Sequence, residues 1–166
     1  MILKGSAWKF GDDISTDLIT PGRYFHLRSN LPELAKHVME DADPTFASKV
    51  KKGDFIVGGS NFGLGSSREH APTIIKLAGI SAVLAKSFAR IFYRNSINVG
   101  LSVLISDTDK IETGDELEID LEKGTIDNTT KNFKLSFAPL PKVMINILND
   151  GGLVAHIQKH GDFKLI

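Results

Sequence analysis

A glycine-rich loop between an apolar strand and an amphipathic helix constrains the fold of this chain more than any other segment. Residues 55–57 are Phe-Ile-Val, a run typical of a buried strand, and the helix predicted at 73–79 ends at a glycine. Four glycines lie between 58 and 65, where they permit tight turns and close approach of a ligand to the backbone. Because the first amides of a helix lack intrahelical partners and carry the positive end of the helix dipole, this unit predicts an anion-binding site.

Three common glycine-loop motifs do not match the residues of this loop. A phosphate-binding P-loop ends in Gly-Lys-Ser/Thr, whereas Gly65 is followed by Ser66. A dinucleotide-binding fingerprint has a third glycine where this chain has Arg68. A hydrolase nucleophile elbow needs Gly-x-Ser-x-Gly, and no glycine follows Ser66 at that spacing. Nucleotide binding and serine-hydrolase chemistry are therefore not favoured.

The side chains at the end of the loop favour recognition of a small carboxylic acid and proton transfer. Arg68 offers a planar fork that pairs with a carboxylate through two hydrogen bonds. Ser66, expected at the start of a helix, can act as a base if nearby amides stabilise its oxygen anion. The alternative is that Ser66 and Ser67 cap the helix and that Arg68 makes a surface ion pair, the usual role of such residues.

Three segments resemble the signatures of the swivel domain of the aconitase family, and they occur in the family's order. They read Asp-Ile-Ser-Thr-Asp-Leu-Ile-Thr-Pro-Gly-Arg-Tyr at 13–24, Gly-Ser-Ser-Arg-Glu-His-Ala at 65–71 and Lys-Ser-Phe-Ala-Arg-Ile-Phe at 86–92. Leu-Pro at 140–141 and Asp-Gly-Gly-Leu at 150–153 extend the resemblance over nearly the whole chain. The length of 166 residues is similar to that of the family's free-standing small subunits, foremost those of isopropylmalate dehydratases, with homoaconitase small subunits next.

The resemblance implies one half of a hydro-lyase that isomerises 2-isopropylmalate to 3-isopropylmalate by removing water and adding it back, in leucine biosynthesis. It implies a partner large subunit that carries a [4Fe-4S] cluster, and no cofactor or metal on this chain. The substrate would be a small di- or tricarboxylic hydroxy acid. Two alternatives remain: the small subunit of a homoaconitase or of a dehydratase for a methyl-substituted malate, and a non-catalytic module that binds an organic acid.

The resemblance also implies roles for four residues of the signatures at 13–24 and 65–71. Ser66 would take the proton from the carbon next to a carboxylate of the substrate. Ser67 and Arg68 would hold that carboxylate. Asp17 matches the aspartate of the family's Thr-Asp motif and would orient Arg68 or the substrate hydroxyl. The active site would then lie where the two subunits meet, and the isolated chain would be inactive.

The loop at 24–29 corresponds to the segment that sorts substrates in this family. His26 stands where homoaconitase-type chains have an arginine and isopropylmalate-type chains an apolar residue. Phe25 and Leu27 would suit an alkyl group, whereas Arg28 would pair with an additional carboxylate. The alternative is that His26 and Arg28 face water, as most such loop residues do.

The composition excludes several classes of site on this chain. With 20 basic and 20 acidic residues the formal net charge is zero, which gives no electrostatic basis for binding nucleic acid or an anionic membrane. There is no cysteine, so neither a disulfide nor a cysteine-ligated zinc or iron–sulfur site can form. His37, His70, His156 and His160 show no metal-ligand spacing, and no metal site is expected.

The sequence shows neither membrane-spanning nor secretory segments. No apolar run approaches the ~18 residues that span a bilayer, and the first residues lack the apolar core of a signal peptide. A cytoplasmic location is therefore expected.

The order of elements predicts an α/β fold in a single domain over residues 1–166. Strands and helices alternate along the first part of the chain, which favours parallel crossovers, and shorter strands follow that favour an antiparallel extension. Strands are expected at 2–10, 53–57, 81–85, 101–105, 116–121, 125–127 and 133–137. Helices are expected at 29–39, 43–50, 73–79, 88–98 and 141–148, and 154–159 fits a helix or a strand. The resemblance implies a barrel-like mixed sheet with flanking helices.

The sequence predicts roles for three side chains at the helix expected at 88–98. Ser87 is expected to cap it. Arg90 and Arg94 are expected mainly in surface ion pairs, with bracing of the active site or of the subunit contact as the alternative.

Overall fold

A seven-stranded mixed sheet forms the centre of the computed structural model, which describes residues 1–161. Its strands are β1 (Ile2–Lys9), β2 (Phe55–Val57), β3 (Ala82–Ala85), β4 (Ser102–Ile105), β5 (Glu116–Asp120), β6 (Thr125–Asn128) and β7 (Phe133–Ser136). Across the sheet they follow the order β4-β3-β2-β1-β5-β6-β7. The last five positions of the domain predicted at 1–166 lie outside the described residues.

β1 is the strand at which the sheet changes from parallel to antiparallel pairing. Its C-terminal part pairs in parallel with β2, with Trp8 opposite Ile56, and its N-terminal part pairs antiparallel with β5, with Lys4 opposite Glu118. β2, β3 and β4 continue the parallel half, and β5, β6 and β7 form an antiparallel meander. The sheet curves into a half-barrel, so the predicted α/β fold with a barrel-like mixed sheet is confirmed.

The helices pack on one face of the sheet; the first five connect the parallel strands, and the last two follow β7. They are α1 (Thr16–Ile19), α2 (Leu31–Ala35), α3 (Phe46–Lys49), α4 (His70–Leu77), α5 (Arg90–Val99), α6 (Lys142–Asn149) and α7 (Leu153–His160). A 3-10 segment, Gly22–Leu27, follows α1. The segment at 154–159, for which the sequence left helix and strand open, is part of α7.

Alternate side chains of the parallel strands enter two separate hydrophobic cores. Ile56 and Val83 belong to the core formed with the helices, whereas Phe55 and Leu84 belong to the core formed with the antiparallel half. All four are fully buried. Because close-packed cores on both sides fix the parallel strands, the loops at the C-terminal ends of these strands start from rigid positions.

Several predicted helix boundaries are wrong: the helix expected at 43–50 begins at Phe46 and that expected at 73–79 begins at His70. In two further cases a tertiary hydrogen bond accompanies the difference. The helix expected at 29–39 stops at Ala35, and Met39 adopts a φ of 59° because its N–H donates to the carbonyl of Ile19 at 3.0 Å. Ser87 does not cap α5, whose N-cap is Ala89. The Ser87 hydroxyl oxygen instead accepts a hydrogen bond from the N–H of Asn61 at 2.7 Å.

Candidate active site

The glycine-rich loop after β2 is bonded along its length to the loop after β1. The N–H of Gly63 donates to the carbonyl of Ile14 at 2.7 Å, and the N–H of Thr16 donates to that of Leu64 at 2.8 Å. The Thr16 hydroxyl donates to the carbonyl of Ser66, also at 2.8 Å. The first two signature segments therefore form one unit at the C-terminal end of the parallel strands.

The third signature segment is joined to the same glycine-rich loop. The N–H of Ala89 donates to the carbonyl of Phe62 at 2.9 Å, and the N–H of Phe62 donates to that of Ser87 at 3.0 Å. Gly63 packs directly on the Phe92 ring at a φ of 84°, where a Cβ would lie 2.2 Å from the ring. Only glycine fits this position, since another side chain would meet both the ring and an unfavourable backbone conformation.

A cavity of about 210 Å³ opens between the glycine-rich loop and the start of α5. Ser66, Ser67 and Arg68 all line it, so the structure brings together three of the residues singled out in the sequence. The other lining residues come from α1, the loop and α5: Thr16, Gly63, Gly65, Ala89, Arg90, Ile91, Phe92 and Asn95. Ser66 and Ser67 are exposed, and their hydroxyls form no hydrogen bond within residues 1–161.

The helix whose N-terminus faces the cavity is α5 and not the predicted one. α4 begins only at His70, with Glu69 as its N-cap, so Ser66 is not at a helix start as expected. The backbone at Ser66 is bonded to α1 instead of to a following turn. Ala89 and Arg90, at the start of the ten-residue α5, line the cavity. The first amides of α5 and its dipole therefore provide the positive field for an anion.

Arg68 is held by α1 through one of its terminal nitrogens. Its Nη1 lies 3.0 Å from Asp17 Oδ1 and also donates to the carbonyl of Thr20. Asp17 Oδ1 accepts a further hydrogen bond from the N–H of Gly22 at 3.2 Å. Nε and Nη2 of Arg68 donate no hydrogen bond within the described part of the chain, so they remain available to a carboxylate.

The structure does not bring His26 and Arg28 into this cavity. Both are exposed, at the end of the 3-10 segment. The guanidinium of Arg28 lies over the Phe25 ring, 4.3 Å from its centroid, and Nη1 donates to the Phe25 carbonyl at 3.2 Å. The segment is nevertheless near the site, because the Phe25 and His70 ring centroids are 6.4 Å apart.

His70 is a residue of this region that the sequence reasoning did not single out. Burial, and then the charge of Arg68, hold the pKa of His70 below its ordinary value, and Arg28 acts in the same direction to a smaller extent. Its Nε2 is buried without a hydrogen-bond partner among residues 1–161. The available signal was its place two residues after Arg68 in the signature at 65–71.

α5 contributes Arg90, for which the sequence left bracing of the active site as the alternative, and Asn95, which the sequence did not indicate. Arg90, expected mainly in a surface ion pair, lines the cavity, and neither Arg90 nor Arg94 forms an ion pair within residues 1–161. Asn95 lines the cavity one helical turn after Ile91. The i,i+4 spacing on a predicted helix was the signal for Asn95.

Residues 17–108, more than half of the chain, match the family model described as Aconitase C-terminal domain. The chain belongs to the aconitase family. The resemblance stated from the three signatures is therefore confirmed.

Members of the aconitase family that are similar to this chain match it over nearly their whole length. A 3-isopropylmalate dehydratase small subunit 2 from Archaeoglobus fulgidus is 68% identical and covers 99% of this chain and 100% of its own. A methanogen homoaconitase small subunit from Methanothermobacter thermautotrophicus is 54% identical, covering 95% of this chain and 92% of its own. The crystal structure of 3-isopropylmalate dehydratase from Methanocaldococcus jannaschii superposes with a TM-score of 0.92 at 52% identity, covering 97% of this chain and 96% of its own.

The donors at this aconitase-family cavity suit a carboxylate and do not suit an iron–sulfur cluster. Clusters are held by cysteine thiolates, and the chain has no cysteine. Two hydroxyls and a guanidinium are instead the usual partners of a carboxylate. A separate group outside the cavity, formed by Asp150, His156 and His160, has the residue types of a metal site.

None of the helices within residues 1–161 combines the length and the hydropathy that a membrane span requires.

Proposed function

We propose that this chain is the small subunit of a hydro-lyase that isomerises 2-isopropylmalate to 3-isopropylmalate by dehydration and rehydration, in leucine biosynthesis. The observation that carries the proposal is the convergence of Ser66, Ser67 and Arg68 on one cavity. The full-length similarity to small subunits of 3-isopropylmalate dehydratases supports the substrate class. The cytoplasmic location and the single domain over residues 1–166 remain predictions.

Arg68 and the hydroxyl of Ser67 bind one carboxylate of the substrate in this proposal. The free Nε and Nη2 of Arg68 supply a two-pronged contact, while Asp17 and the Thr20 carbonyl hold Nη1 in place. The N-terminal turn of α5 adds a positive field at the same cavity. A substrate with a second carboxylate would direct that group toward the partner subunit.

Ser66 is the base in the proposed reaction. Its oxygen takes a proton from the carbon next to the bound carboxylate, hydroxide leaves the neighbouring carbon, and a carbon–carbon double bond forms. Water then adds in the opposite sense, so that the hydroxyl ends on the first carbon and Ser66 returns the proton to the second. Because Ser66 is exposed in this chain alone, burial by a partner is needed to remove competing water from the reacting groups.

The partner is a large subunit that carries a [4Fe-4S] cluster, whose iron supplies a Lewis acid for the substrate hydroxyl. The donor set of this chain supports placing the cluster on that partner, since no thiolate is available here. Ile91, beside the cavity, is 44% exposed and gives the partner an apolar contact next to the reacting groups. The isolated chain is therefore expected to be inactive.

A second candidate substrate is homoaconitate, and one similar protein favours it. The homoaconitase small subunit from Methanothermobacter thermautotrophicus is 54% identical to this chain. Arg28 is exposed and, within residues 1–161, contacts only Phe25, so it can turn toward a third carboxylate. Arg28→Ala would then reduce turnover of the tricarboxylic acid and leave turnover of the alkyl diacid unchanged.

An anaerobic hydration assay tests the proposal directly. The chain is mixed with a reconstituted, cluster-bearing large subunit and offered isopropylmaleate, citraconate and homoaconitate. We expect turnover of the alkyl-substituted diacids, and Ser66→Ala should lower kcat by at least about a hundredfold because the proton acceptor is lost.

Ser48→Ala is the matched control, because Ser48 is an exposed serine whose hydroxyl, among the described residues, donates only to the Thr45 carbonyl, at 3.0 Å. Its kcat should equal that of the unsubstituted chain. Preference for homoaconitate would select the second substrate. Binding of the acids by the isolated chain, with no turnover beside a competent partner and no effect of Ser66→Ala, would favour a non-catalytic binding module and reject the hydro-lyase.

A further inference from the structure

The two C-terminal helices bring two imidazoles and a carboxylate together away from the cavity at Ser66. Asp150 is the C-cap of α6, and His156 and His160 lie on α7. His156 Nδ1 is 2.7 Å and His160 Nε2 is 2.9 Å from the same oxygen, Asp150 Oδ2. One ligand atom from each residue lies within 4.8 Å of the others.

The helical conformation of α7 creates this arrangement. Residues four apart on a helix lie above one another on one face, and a pair of histidines at this spacing is a known metal-binding pattern. In a strand, His156 and His160 would be about 13 Å apart. The prediction that the histidines show no metal-ligand spacing did not take this helix into account, since the segment fitted a helix or a strand in the sequence.

Burial and the local field both favour a bound cation at this cluster. The side chains of His156, Asp150 and His160 are 0%, 8% and 16% exposed, so the ligand atoms are held in place and shielded from water. Asp150 lies at the C-terminal end of α6 and His160 in the last turn of α7. C-terminal ends of helices carry the negative end of the dipole and stabilise cations.

Lys159 contacts the other carboxylate oxygen of Asp150, beside an open cavity. Its Nζ lies 2.9 Å from Asp150 Oδ1, and its side chain is 65% exposed, so it can move into solvent. A cavity of about 300 Å³, lined by Asn146, Asn149, Asp150, Lys159 and His160, opens at this point. Water in this cavity would complete the coordination of an ion held by three protein ligands.

We propose that Asp150, His156 and His160 bind one divalent transition-metal ion of the Zn²⁺, Co²⁺ and Ni²⁺ class. Two imidazole nitrogens and a carboxylate oxygen are ligands that these ions accept and that Mg²⁺ and Ca²⁺ do not prefer. The ion joins the end of α6 to α7. Both helices pack on α5, whose first turn lines the cavity at Ser66, so the ion stabilises the support of that cavity.

The test is a titration of the tag-free, chelator-treated full chain with Co²⁺, followed by visible absorption, with Zn²⁺ as competitor. We expect uptake of one ion per chain, displacement by Zn²⁺ and a higher thermal unfolding temperature. At a free metal concentration a hundredfold above Kd, the folding equilibrium should shift by about a hundredfold toward the folded state.

Variants separate this cluster from other metal-binding groups. His160→Gln should weaken Co²⁺ binding by at least about tenfold, since it removes one of three ligands. Lys159→Met should strengthen binding, because the ammonium group no longer competes for Asp150. His26→Gln, which removes an exposed imidazole elsewhere, should bind Co²⁺ as the unsubstituted chain does.

Three results would overturn the proposal. The first is that the chain takes up no Co²⁺ saturably, the second that a folded His160→Gln variant binds Co²⁺ as well as the unsubstituted chain, and the third that His26→Gln loses as much Co²⁺ affinity as His160→Gln. If His160→Gln does not fold, Lys159→Met decides. A structural ion pair predicts a lower unfolding temperature without tighter Co²⁺ binding in that variant, and this result would also reject the metal site.

Discussion

At the scale of single residues, Arg68 uses one nitrogen, Nη1, to hold its position and leaves Nε and Nη2 for a ligand. The bonds to Asp17 and Thr20 both use Nη1. Asp17 is 65% exposed, and an ion pair in such a position contributes at most about 1 kcal/mol to stability. The contribution of this pair is therefore positional: it fixes the direction in which the remaining nitrogens point.

The pKa of His70 reports on the charge of Arg68. Arg68→Gln should raise the pKa of His70 toward its ordinary value, because burial then remains while the largest repulsive charge is gone. The lowered pKa also sets how stability depends on pH. As the pH drops below about 6.5, the unfolded chain takes up the proton before the folded chain does, so the free energy of unfolding falls. The measurement is an NMR titration of the imidazole C–H resonances.

Arg28→Gln is the control for this titration, since Arg28 contributes less than Arg68 to the lowered pKa of His70. It should produce a smaller rise in the pKa. An unchanged or lower pKa in Arg68→Gln would show that the guanidinium does not act on His70.

At the scale of elements, the glycine-rich loop packs against the hydrophobic core instead of lying loosely on the surface. Gly63 rests on Phe92, and Phe62 beside it packs against the same ring, with centroids 5.4 Å apart. The part of the loop that precedes Ser66 is therefore fixed against α5.

Gly63→Ala should destabilise the chain by roughly 2–4 kcal/mol, because the new methyl group meets the Phe92 ring and the backbone lies in the left-handed region. Urea denaturation followed by circular dichroism measures the loss.

Gly114→Ala is the matched control. Gly114 has a φ of 92°, and a Cβ there would meet nothing within 4 Å. This variant measures only the cost of placing alanine in a left-handed backbone conformation, which should lower the free energy of unfolding by about 1–2 kcal/mol. Equal losses in the two variants would mean that the loop does not pack tightly on Phe92.

Local pattern predicted the strands of this chain better than it predicted the ends of the helices. Phe55 and Ile56 lie in a short apolar run, and both faces of β2 are buried, so the run alone identified the strand. α4 starts only at His70, and the carbonyl of Ser66 before it accepts a hydrogen bond from Thr16, fifty positions away in the chain. A contact of this kind leaves no periodic signal in the sequence around Ser66.

At the scale of the whole molecule, Asp115 links the antiparallel half to β1. Its carbonyl accepts from the N–H of Ala7 at 2.8 Å. Its Oδ2 accepts from the Glu112 N–H at 2.9 Å and the Asn128 amide at 2.8 Å, and Lys131 Nζ lies at 3.3 Å. Burial raises the pKa of Asp115, but these three donors outweigh it and hold the pKa below the ordinary value.

Asp115→Asn should lower the free energy of unfolding at neutral pH by about 1–3 kcal/mol, since it removes the charge that the donors stabilise. Because the pKa of Asp115 is lower in the folded chain than in the unfolded chain, its carboxylate contributes fully to stability above the unfolded-state pKa. That contribution is lost as the pH falls through the folded-state pKa. The difference between variant and unsubstituted chain should therefore narrow below about pH 4.

Asp127→Asn provides the comparison, because Asp127 is a carboxylate on β6 that makes no hydrogen bond within residues 1–161. Its effect on unfolding should stay within about 0.5 kcal/mol. A difference for Asp115→Asn that stays constant with pH would assign the loss to packing and not to charge.

The candidate site was predictable where its residues share one signature and was not predictable where the fold assembles them. Ser66, Ser67 and Arg68 are adjacent in the chain, so their shared cavity needed no tertiary information. Arg90 and Asn95 reach the same cavity only because α5 begins there.

The central position of β1 has a consequence for biosynthesis of the chain. β1 leaves the ribosome before the other strands, but Ile2 pairs with Asp120, which is translated only after the whole parallel half. Until then one edge of β1 stays open, and unpaired strand edges attract other chains. A ribosome that stalls between β4 and β5 would therefore release a half-sheet with an exposed apolar inner face, a natural client for chaperones.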